Sequence, residues 1–213
     1  ISSLEAYDFL KRHDTKLDIA HLPLSLSDKY KITASTKIDK KYDLVLMGRQ
    51  NPVLMEFVHE YSKKHPDFVY VYKPESEKGF TYYTTRGDVV GNIVDREQYM
   101  QLTRMARCSL YSTQCVDGGP KWRSGYNQVT PRFLEMIASG CHVIARYKEN
   151  PDTDYYEISK FAPMCDSYTD FEKQMDKARN EDVDMEMYAK YMEKHYTSAR
   201  VGQLKEILKS IEE

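Results

Sequence analysis

Short apolar runs alternate with longer amphipathic stretches from residue 42 onward, and this alternation is what most restricts the fold. The apolar runs have the composition of buried strands and lie at residues 42–48, 67–73, 88–93, 108–113 and 141–147. Helical periodicity occupies the intervals 52–65, 95–107 and 130–139. Because strands joined by helices run parallel, this order predicts an α/β fold of Rossmann type, with an open parallel sheet flanked by helices.

The segments outside this alternation carry weaker patterns. Residues 74–87 are polar and predict a loop or an extended insertion, and the stretch after about residue 166 predicts extra C-terminal helices without further strands. Near the start of the chain, Ser2 and Glu5 have the spacing of a capping box for a helix that ends near residue 12.

The first 41 residues differ in character from those that follow. Residues 23–41 are polar, basic and weakly periodic, which is typical of a connecting segment, and the chain begins at Ile1 instead of Met. We therefore interpret residues 1–41 as the end of a preceding domain and a linker. Residues 42–213 are interpreted as the Rossmann-like domain with its helical tail.

Composition excludes several classes of protein. The 31 Lys and Arg residues balance 33 Asp and Glu residues, and a net charge of −2 does not attract nucleic acid. Mean hydropathy is −0.68, no apolar run approaches the roughly 20 residues of a membrane span, and the first residues lack a signal peptide pattern. The four cysteines lack CxxC spacing, which predicts free thiols and a cytoplasmic location.

Two loops are the candidate sites for chemistry, because ligands of open parallel sheets bind beyond the carboxyl ends of the strands. One loop is Gly48–Asn51, and the other is residues 114–129. The second loop is rich in glycine and carries the cations Lys121 and Arg123, a composition suited to holding an anion such as phosphate. A flexible surface loop with ordinary charges is the alternative that composition leaves open.

Glu135 is the most informative single residue. It lies in the first turns of an otherwise apolar helix, where a carboxylate benefits from the positive helix end and can accept hydrogen bonds from sugar hydroxyls. From the residues alone, a solvent-exposed carboxylate matched to the helix dipole is the more common case.

Three stretches in order resemble a known family. Residues 130–145 (TPRFLEMIASGCHVIA) resemble the segment of GT-B glycosyltransferases in which a helix glutamate is followed by Ala-x-Gly-x-x-Val-Ile-Ala. Val45–Arg49 is similar to the family's strand ending in Gly-Arg, and Val90–Ile93 matches a further strand. Over roughly residues 42–208, the chain resembles the C-terminal, donor-binding half of a retaining glycosyltransferase of group 1, family 4, the sucrose-synthase-like enzymes.

The resemblance implies that the ligand is a nucleotide diphosphate sugar. It assigns the ribose to Glu135, the diphosphate to the Gly48-Arg49 turn and to the amides at Thr130 that precede the helix, and the nucleobase to the backbone of Asn92 and Ile93.

The resemblance also implies the wider reaction. It implies transfer of a hexosyl group with retention, in polysaccharide biosynthesis, to an acceptor glycan or lipid-linked sugar held by an N-terminal acceptor-binding domain of the same protein. No metal or other cofactor is required by the matching motifs. The location implied is cytoplasmic, and the N-terminal half of the protein could in addition associate peripherally with a membrane. The 213 residues alone are expected to bind nucleotide without transferring sugar.

The chain departs from the family pattern at two positions. Asn127 occupies the place of a second glutamate that contacts the donor sugar, which leaves the identity and orientation of that sugar open. Leu54 replaces a lysine that often follows the Gly-Arg turn. Either Lys121 or Arg123 is a candidate to supply the missing charge.

Other interpretations stay open beside this one. A non-catalytic nucleotide-binding α/β domain fits the same pattern, as does a GT-B epimerase or phosphorylase. The DxD pairs at Asp152/Asp154 and Asp182/Asp184 resemble metal-binding carboxylates, but such spacing arises by chance in an Asp-rich chain. The tyrosines at 70, 72, 82 and 83 favour half-buried core and rim positions, with stacking on a base as the alternative.

Overall fold

The computed structural model describes residues 1–13, 16–118 and 127–212. Within these residues, six strands form one sheet in the order β4-β3-β2-β1-β5-β6. The strands are β1 Tyr42–Val45, β2 Tyr70–Tyr72, β3 Thr81–Thr84, β4 Val89–Asn92, β5 Ala106–Ser112 and β6 His142–Arg146.

Five of these strands run in the same direction, and β3 alone runs in the opposite direction. β1 pairs in parallel with β2 (Leu44 opposite Tyr70) and with β5 (Leu44 opposite Cys108), and β5 pairs in parallel with β6. β3 is antiparallel to both β2 and β4. The Rossmann-like α/β prediction is confirmed. The sheet is mixed because residues 74–87, predicted as a loop or an extended insertion, contain the additional strand β3, which a short turn joins to β4.

The described helices are α1 Leu4–Arg12, α2 Pro52–Lys64, α3 Arg96–Arg104, α4 Arg132–Ala138, α5 Pro151–Tyr155, α6 Ile158–Phe161, α7 Tyr168–Asn180, α8 Met185–Glu193 and α9 Thr197–Glu212. Several begin at side chains that accept a backbone N–H of the first turn, as Asn51 does for α2, Asp95 for α3 and Ser167 for α7. None of the helices in the described ranges is long and apolar enough to cross a bilayer.

The sheet is buried on both faces. On one face, α2 and α7 cover an apolar cluster that includes Leu44, Leu54 and Phe171. On the other face, α3, α4 and α8 cover a larger cluster that includes Val45 and Phe133. A sheet covered in this way needs apolar residues on both sides of its central strands, which explains the continuous apolar runs in the sequence.

The strand order places a topological switch point between β1 and β5. The chain leaves β1 through α2 toward β2 on one side, whereas β5 and β6 lie on the other side of β1. In open α/β sheets this is the position at which the loops after neighbouring strands diverge and leave a crevice. Both loops that the sequence selected, after residue 48 and after residue 113, leave the sheet at this point.

The first 41 residues pack on the domain. Leu26, Tyr30 and Ile32 are buried, and the Ile32 amide donates to the Tyr196 hydroxyl at 3.0 Å. The predicted capping box is wrong in one detail: Ser3, not Ser2, caps α1 by accepting from the Ala6 amide. These contacts fix the segment in place, and its assignment to a preceding domain stays a prediction.

The buried histidine His195 makes stability depend on pH. It is 1% exposed, Nδ1 accepts a hydrogen bond from the Arg200 guanidinium at 3.0 Å, and burial lowers its pKa from 6.5 to about 3. Below pH 6.5 the unfolded chain binds a proton that the native chain does not, so the free energy of unfolding falls as the pH drops from 6.5 toward 3.

We expect His195→Gln to flatten the pH dependence of stability between about pH 6.5 and 5, by up to about 1.4 kcal/mol per pH unit. Burial lowers the pKa values of His21 and His142 as well, so part of the slope should remain. Urea unfolding at several pH values measures the slope, with His59→Gln as the exposed control. An equal slope in wild type and His195→Gln would contradict the prediction.

Candidate functional site

The turn after β1 is the first part of the site. Gly48 has φ +64°, in the left-handed region where other residues are strained, and this conformation turns the chain from the strand toward α2. Arg49 is exposed, and its guanidinium donates to the Gln114 carbonyl at 3.1 Å, across the switch point. Arg132 at the start of α4 donates to the Arg49 carbonyl at 3.0 Å. Arginines from two elements therefore meet at this edge.

A second network holds the loop after β5. Asp117 accepts two hydrogen bonds from Arg146 at 2.6 and 3.0 Å and one from the Asn51 side chain at 2.8 Å. Asp117 has φ +54°, a conformation that is uncommon outside glycine. Arg146 is the last residue of β6, so this cluster ties together the carboxyl ends of β1, β5 and β6.

The charges in this cluster reinforce each other. The hydrogen bonds from Arg146 hold the pKa of Asp117 below its ordinary value, and Asp117 in turn raises the pKa of Arg146. Both side chains stay ionised at neutral pH, and an ion pair that is largely shielded from water fixes Asp117, close after the end of β5. A cleft of about 120 Å³ opens between the two loops, lined by residues that include Arg49, Asn51 and Gly118.

Glu135 is buried, which corrects the expectation of a solvent-exposed carboxylate. Its side chain is 1% exposed, and Oε1 accepts a hydrogen bond from Arg96 of α3, whose side chain is 51% exposed. Oε2 has no hydrogen-bond partner within the described part of the chain. The Tyr99 hydroxyl lies close by, and burial together with the negative charge of Glu135 raises the pKa of Tyr99. The carboxylate thus keeps one uncommitted acceptor.

The end of β4 completes the same edge. β4 runs in the same direction as β2, so Asn92 and Ile93 lie at the carboxyl end of the sheet with the turn after β1. The Ile93 amide donates to the Phe80 carbonyl at 2.9 Å, Asn92 is exposed and Phe80 is 57% exposed. Of the two residues that the resemblance assigns to a nucleobase, Asn92 is thus exposed near an exposed aromatic residue, whereas the Ile93 amide is engaged with Phe80.

Two other predicted site residues are engaged with the protein itself. The Thr130 amide donates to the buried Tyr111 hydroxyl at 3.0 Å. Asn127 is 6% exposed, its Oδ1 accepts from Thr113 at 3.3 Å, and its amide donates to Glu5 of α1 at 3.2 Å. Contact of either group with a ligand would require these bonds to rearrange. Lys121 and Arg123 lie outside the described residues.

The structure places Gly48, Arg49, Asn92, Ile93 and Glu135 along the same edge of the sheet. Sequence reasoning missed three arginines at this edge: Arg96 donates to Glu135, Arg132 donates to the Arg49 carbonyl, and Arg146 donates to Asp117. Each had a positional signal: Arg96 follows the cap of α3, Arg132 begins α4 and Arg146 ends β6.

The described ranges contain no built metal site, and three of the four thiols are buried. These ranges contain no group of three or more His, Cys, Asp or Glu side chains placed to hold a metal ion. Asp152 of the DxD pair is buried and accepts from Ser3, Leu4 and Glu5, whereas Asp154 is exposed. Burial raises the pKa values of Cys108, Cys141 and Cys165, which keeps these thiols protonated.

Comparison with known proteins identifies the fold. No protein-family model and no curated protein matches the chain. Among solved structures, the GtfA/B complex matches at a TM-score of 0.60 and 13% identity, covering 99% of this chain and 44% of that chain. AviGT4, a glycosyltransferase involved in avilamycin A biosynthesis, matches at a TM-score of 0.53 and 14% identity, covering 89% of this chain and 58% of that one.

The chain has the fold of a GT-B glycosyltransferase domain. This confirms the GT-B prediction at the level of fold. The chain spans less than two thirds of the length of the two structures that it matches. The carboxyl-edge residues described above therefore belong to a GT-B fold in which the loops after β1 and β5 meet at the switch point.

Proposed function

We propose that the chain is the donor-binding domain of a glycosyltransferase and that it binds a nucleotide diphosphate sugar at the carboxyl edge of the sheet. The nucleobase contacts the Asn92-Ile93 backbone, the ribose contacts Glu135, and the diphosphate lies near Arg49. The acceptor is held in large part by a further domain of the same protein, as the family resemblance implies. Assignment to the retaining enzymes of family 4 is part of this proposal.

The observation that carries the proposal is the buried carboxylate of Glu135 at an edge rich in arginine. A carboxylate with an uncommitted oxygen can accept a hydrogen bond from a ribose hydroxyl. Arg96 contacts this carboxylate, and Arg49 and Arg132 come from other elements at the same edge of the sheet. One guanidinium group can donate hydrogen bonds to two phosphate oxygens at once, so this edge suits a ligand that combines a sugar diol with a diphosphate.

The arginines also have a chemical role in transfer. The bond between the anomeric carbon of the sugar and the diphosphate oxygen breaks, and a bond to the acceptor hydroxyl oxygen forms as that hydroxyl releases its proton to the departing diphosphate or to water. The nucleoside diphosphate leaves with increased negative charge on its terminal phosphate. Fixed cations at the edge stabilise this developing charge more than they stabilise the intact donor.

Binding of ribose to Glu135 requires Arg96 to move or to share the carboxylate. Arg96 closes over Oε1, and Oε2 is shielded from solvent. The Arg96 side chain is half-exposed, so the guanidinium can turn toward solvent or toward a phosphate without leaving a buried cation unpaired. When the nucleotide binds, the hydrogen bond between Arg96 and Glu135 is then replaced by a contact of Glu135 with the ribose and a contact of Arg96 with a phosphate.

We expect Glu135→Gln to weaken binding of the preferred nucleoside diphosphate about tenfold or more. The substitution keeps the shape of the side chain but removes the charge that strengthens a hydroxyl hydrogen bond, worth about 1.5 to 3 kcal/mol. Isothermal titration of UDP, ADP and GDP measures the affinities, and thermal unfolding checks that the variant is folded.

Tyr99→Phe is the matched control for this experiment. It removes the hydroxyl beside Glu135 in the same buried cluster but leaves the carboxylate in place. Its affinity should stay within about twofold of wild type, a difference below about 0.5 kcal/mol. If none of the nucleoside diphosphates binds the wild-type chain, or if Glu135→Gln and Tyr99→Phe behave alike, the proposed donor site is wrong.

A further inference from the structure

A second, larger cleft lies on the other side of the turn after β1. It has a volume of about 960 Å³, within the range of about 300–1,000 Å³ that small-molecule sites occupy. One wall is a face of α2, formed by Pro52, Met55, Glu56 and His59 at the spacing i, i+3, i+4 and i+7. The opposite wall is formed by β2 and the residues that follow it.

Tyrosine rings form the floor of this cleft. Tyr70 and Tyr72 are two residues apart on β2 and therefore lie on the same face of the sheet, with ring centroids 5.8 Å apart. Both side chains are half-buried. Leu46 extends the apolar floor toward Met55 on the α2 wall. The predicted half-buried rim position of these tyrosines is confirmed.

The charged groups around the floor balance each other. Arg49 and Lys73 supply two cations, and Glu56 and Glu75 supply two carboxylates. A phosphate-binding site would favour cations alone, and a basic peptide would favour carboxylates alone. Donors and acceptors around aromatic faces suit a neutral ligand with many hydroxyl groups, whose C–H faces pack on the rings.

We propose that this cleft, which we call the tyrosine cleft, binds a neutral oligosaccharide. The ring faces of Tyr70 and Tyr72 pack against sugar rings. Glu56 and His59 hydrogen-bond sugar hydroxyls from the α2 side, and Lys73 does so from the side of β2.

The tyrosine cleft also has a defined relation to the donor edge. Gly48 and Arg49 line it, and Arg49 reaches across the switch point to the Gln114 carbonyl. A saccharide in the cleft therefore ends close to the residue that we assign to the donor diphosphate. On this basis, which rests on the proposed function, the bound oligosaccharide is a part of the acceptor glycan, held by the donor-binding domain itself.

Titration of the 213-residue chain with neutral trisaccharides tests the proposal. The probes are maltotriose, cellotriose and chitotriose, followed by saturation-transfer NMR and by calorimetry. We expect at least one to bind with a dissociation constant below about 10 mM. Glu56→Gln should weaken that binding about fivefold or more, and Tyr72→Ala should reduce it further, because a hydroxyl acceptor and a ring face are lost.

Glu56 is exposed on α2, so Glu56→Gln tests the site without risk to the fold. Tyr168→Ala is the matched control, because Tyr168 is also half-buried but lies at the start of α7, outside the cleft. No binding of any trisaccharide, or equal binding by wild type, Glu56→Gln and Tyr72→Ala, would overturn the proposal. Parallel titration with UDP, ADP and GDP separates the two proposals. If a trisaccharide binds and no nucleoside diphosphate does, the proposed donor site is wrong and the proposed saccharide site is supported.

Discussion

Replacing Asp152 by alanine should release helix α1 from the domain. Asp152 is 1% exposed and accepts three hydrogen bonds, from the Ser3 hydroxyl at 2.5 Å, the Leu4 amide at 2.8 Å and the Glu5 amide at 3.3 Å. The two amides are at the N-terminus of α1, where a carboxylate also interacts favourably with the helix dipole. The helix has no fully buried residue between Leu4 and Arg12, and beside these three bonds the Asn127 amide donates to Glu5 at 3.2 Å, so Asp152 accepts most of the hydrogen bonds that join the start of α1 to the domain.

Charge-assisted hydrogen bonds contribute about 1.5 to 3 kcal/mol each, and partial solvation of the two amides reduces the sum to about 3 kcal/mol. A loss of that size corresponds to roughly a hundredfold faster hydrogen exchange of the α1 amides, which mass spectrometry measures directly. Asp154→Ala is the control two residues away, because Asp154 is exposed on the same helix. Equal protection of α1 in wild type and Asp152→Ala would show that other contacts hold the helix.

The order of strands and helices was predictable because it depends on local periodicity and composition. The apolar runs at β1, β5 and β6 correspond to strands covered on both faces, and such strands carry a strong sequence signal. β3 was missed because its four residues, TYYT, do not alternate polar and apolar groups and lie within a polar stretch, and its pairing with β4 is a tertiary contact. Helices α5 and α6 have only five and four residues, too few to show a helical period.

The candidate site was predictable in its location more than in its contacts. The rule for open sheets selected the loops after β1 and β5, and the structure places them together at the switch point. The burial of Glu135 and its hydrogen bond with Arg96 of another helix were not predictable, because both depend on tertiary packing. The partners of Asn127 and Thr130 likewise come from distant parts of the chain, at Glu5 and Tyr111. Side-chain pairing across the fold is invisible to a local pattern.

The ion pair between Arg146 and Asp117 after β5 is likewise a tertiary contact that the sequence does not predict. Its removal should cause the second large loss of stability that we expect. Arg146→Met should lower the free energy of unfolding by about 2 to 3 kcal/mol, since breaking a fully buried pair costs about 3 to 5 kcal/mol and these side chains are 17% and 20% exposed. The substitution also leaves Asp117 in a left-handed conformation without the cation that holds it.

Urea unfolding measures this loss, and the chain contains its own matched comparison. Arg107 pairs with Asp182 at 3.5 Å, and Asp182 is 92% exposed, so Arg107→Met should change the free energy of unfolding by less than about 0.5 kcal/mol. A double-mutant cycle with Asp117→Asn should give a coupling energy of about 2 kcal/mol for Arg146 and near zero for Arg107. Because Asp117 also accepts from Asn51 at the start of α2, loss of the pair loosens both loops of the switch point. We therefore expect the affinity for nucleoside diphosphates to fall with Arg146→Met and to stay unchanged with Arg107→Met. Equal losses of stability in the two variants would contradict the prediction, because the Arg146–Asp117 pair would then contribute no more than an exposed ion pair.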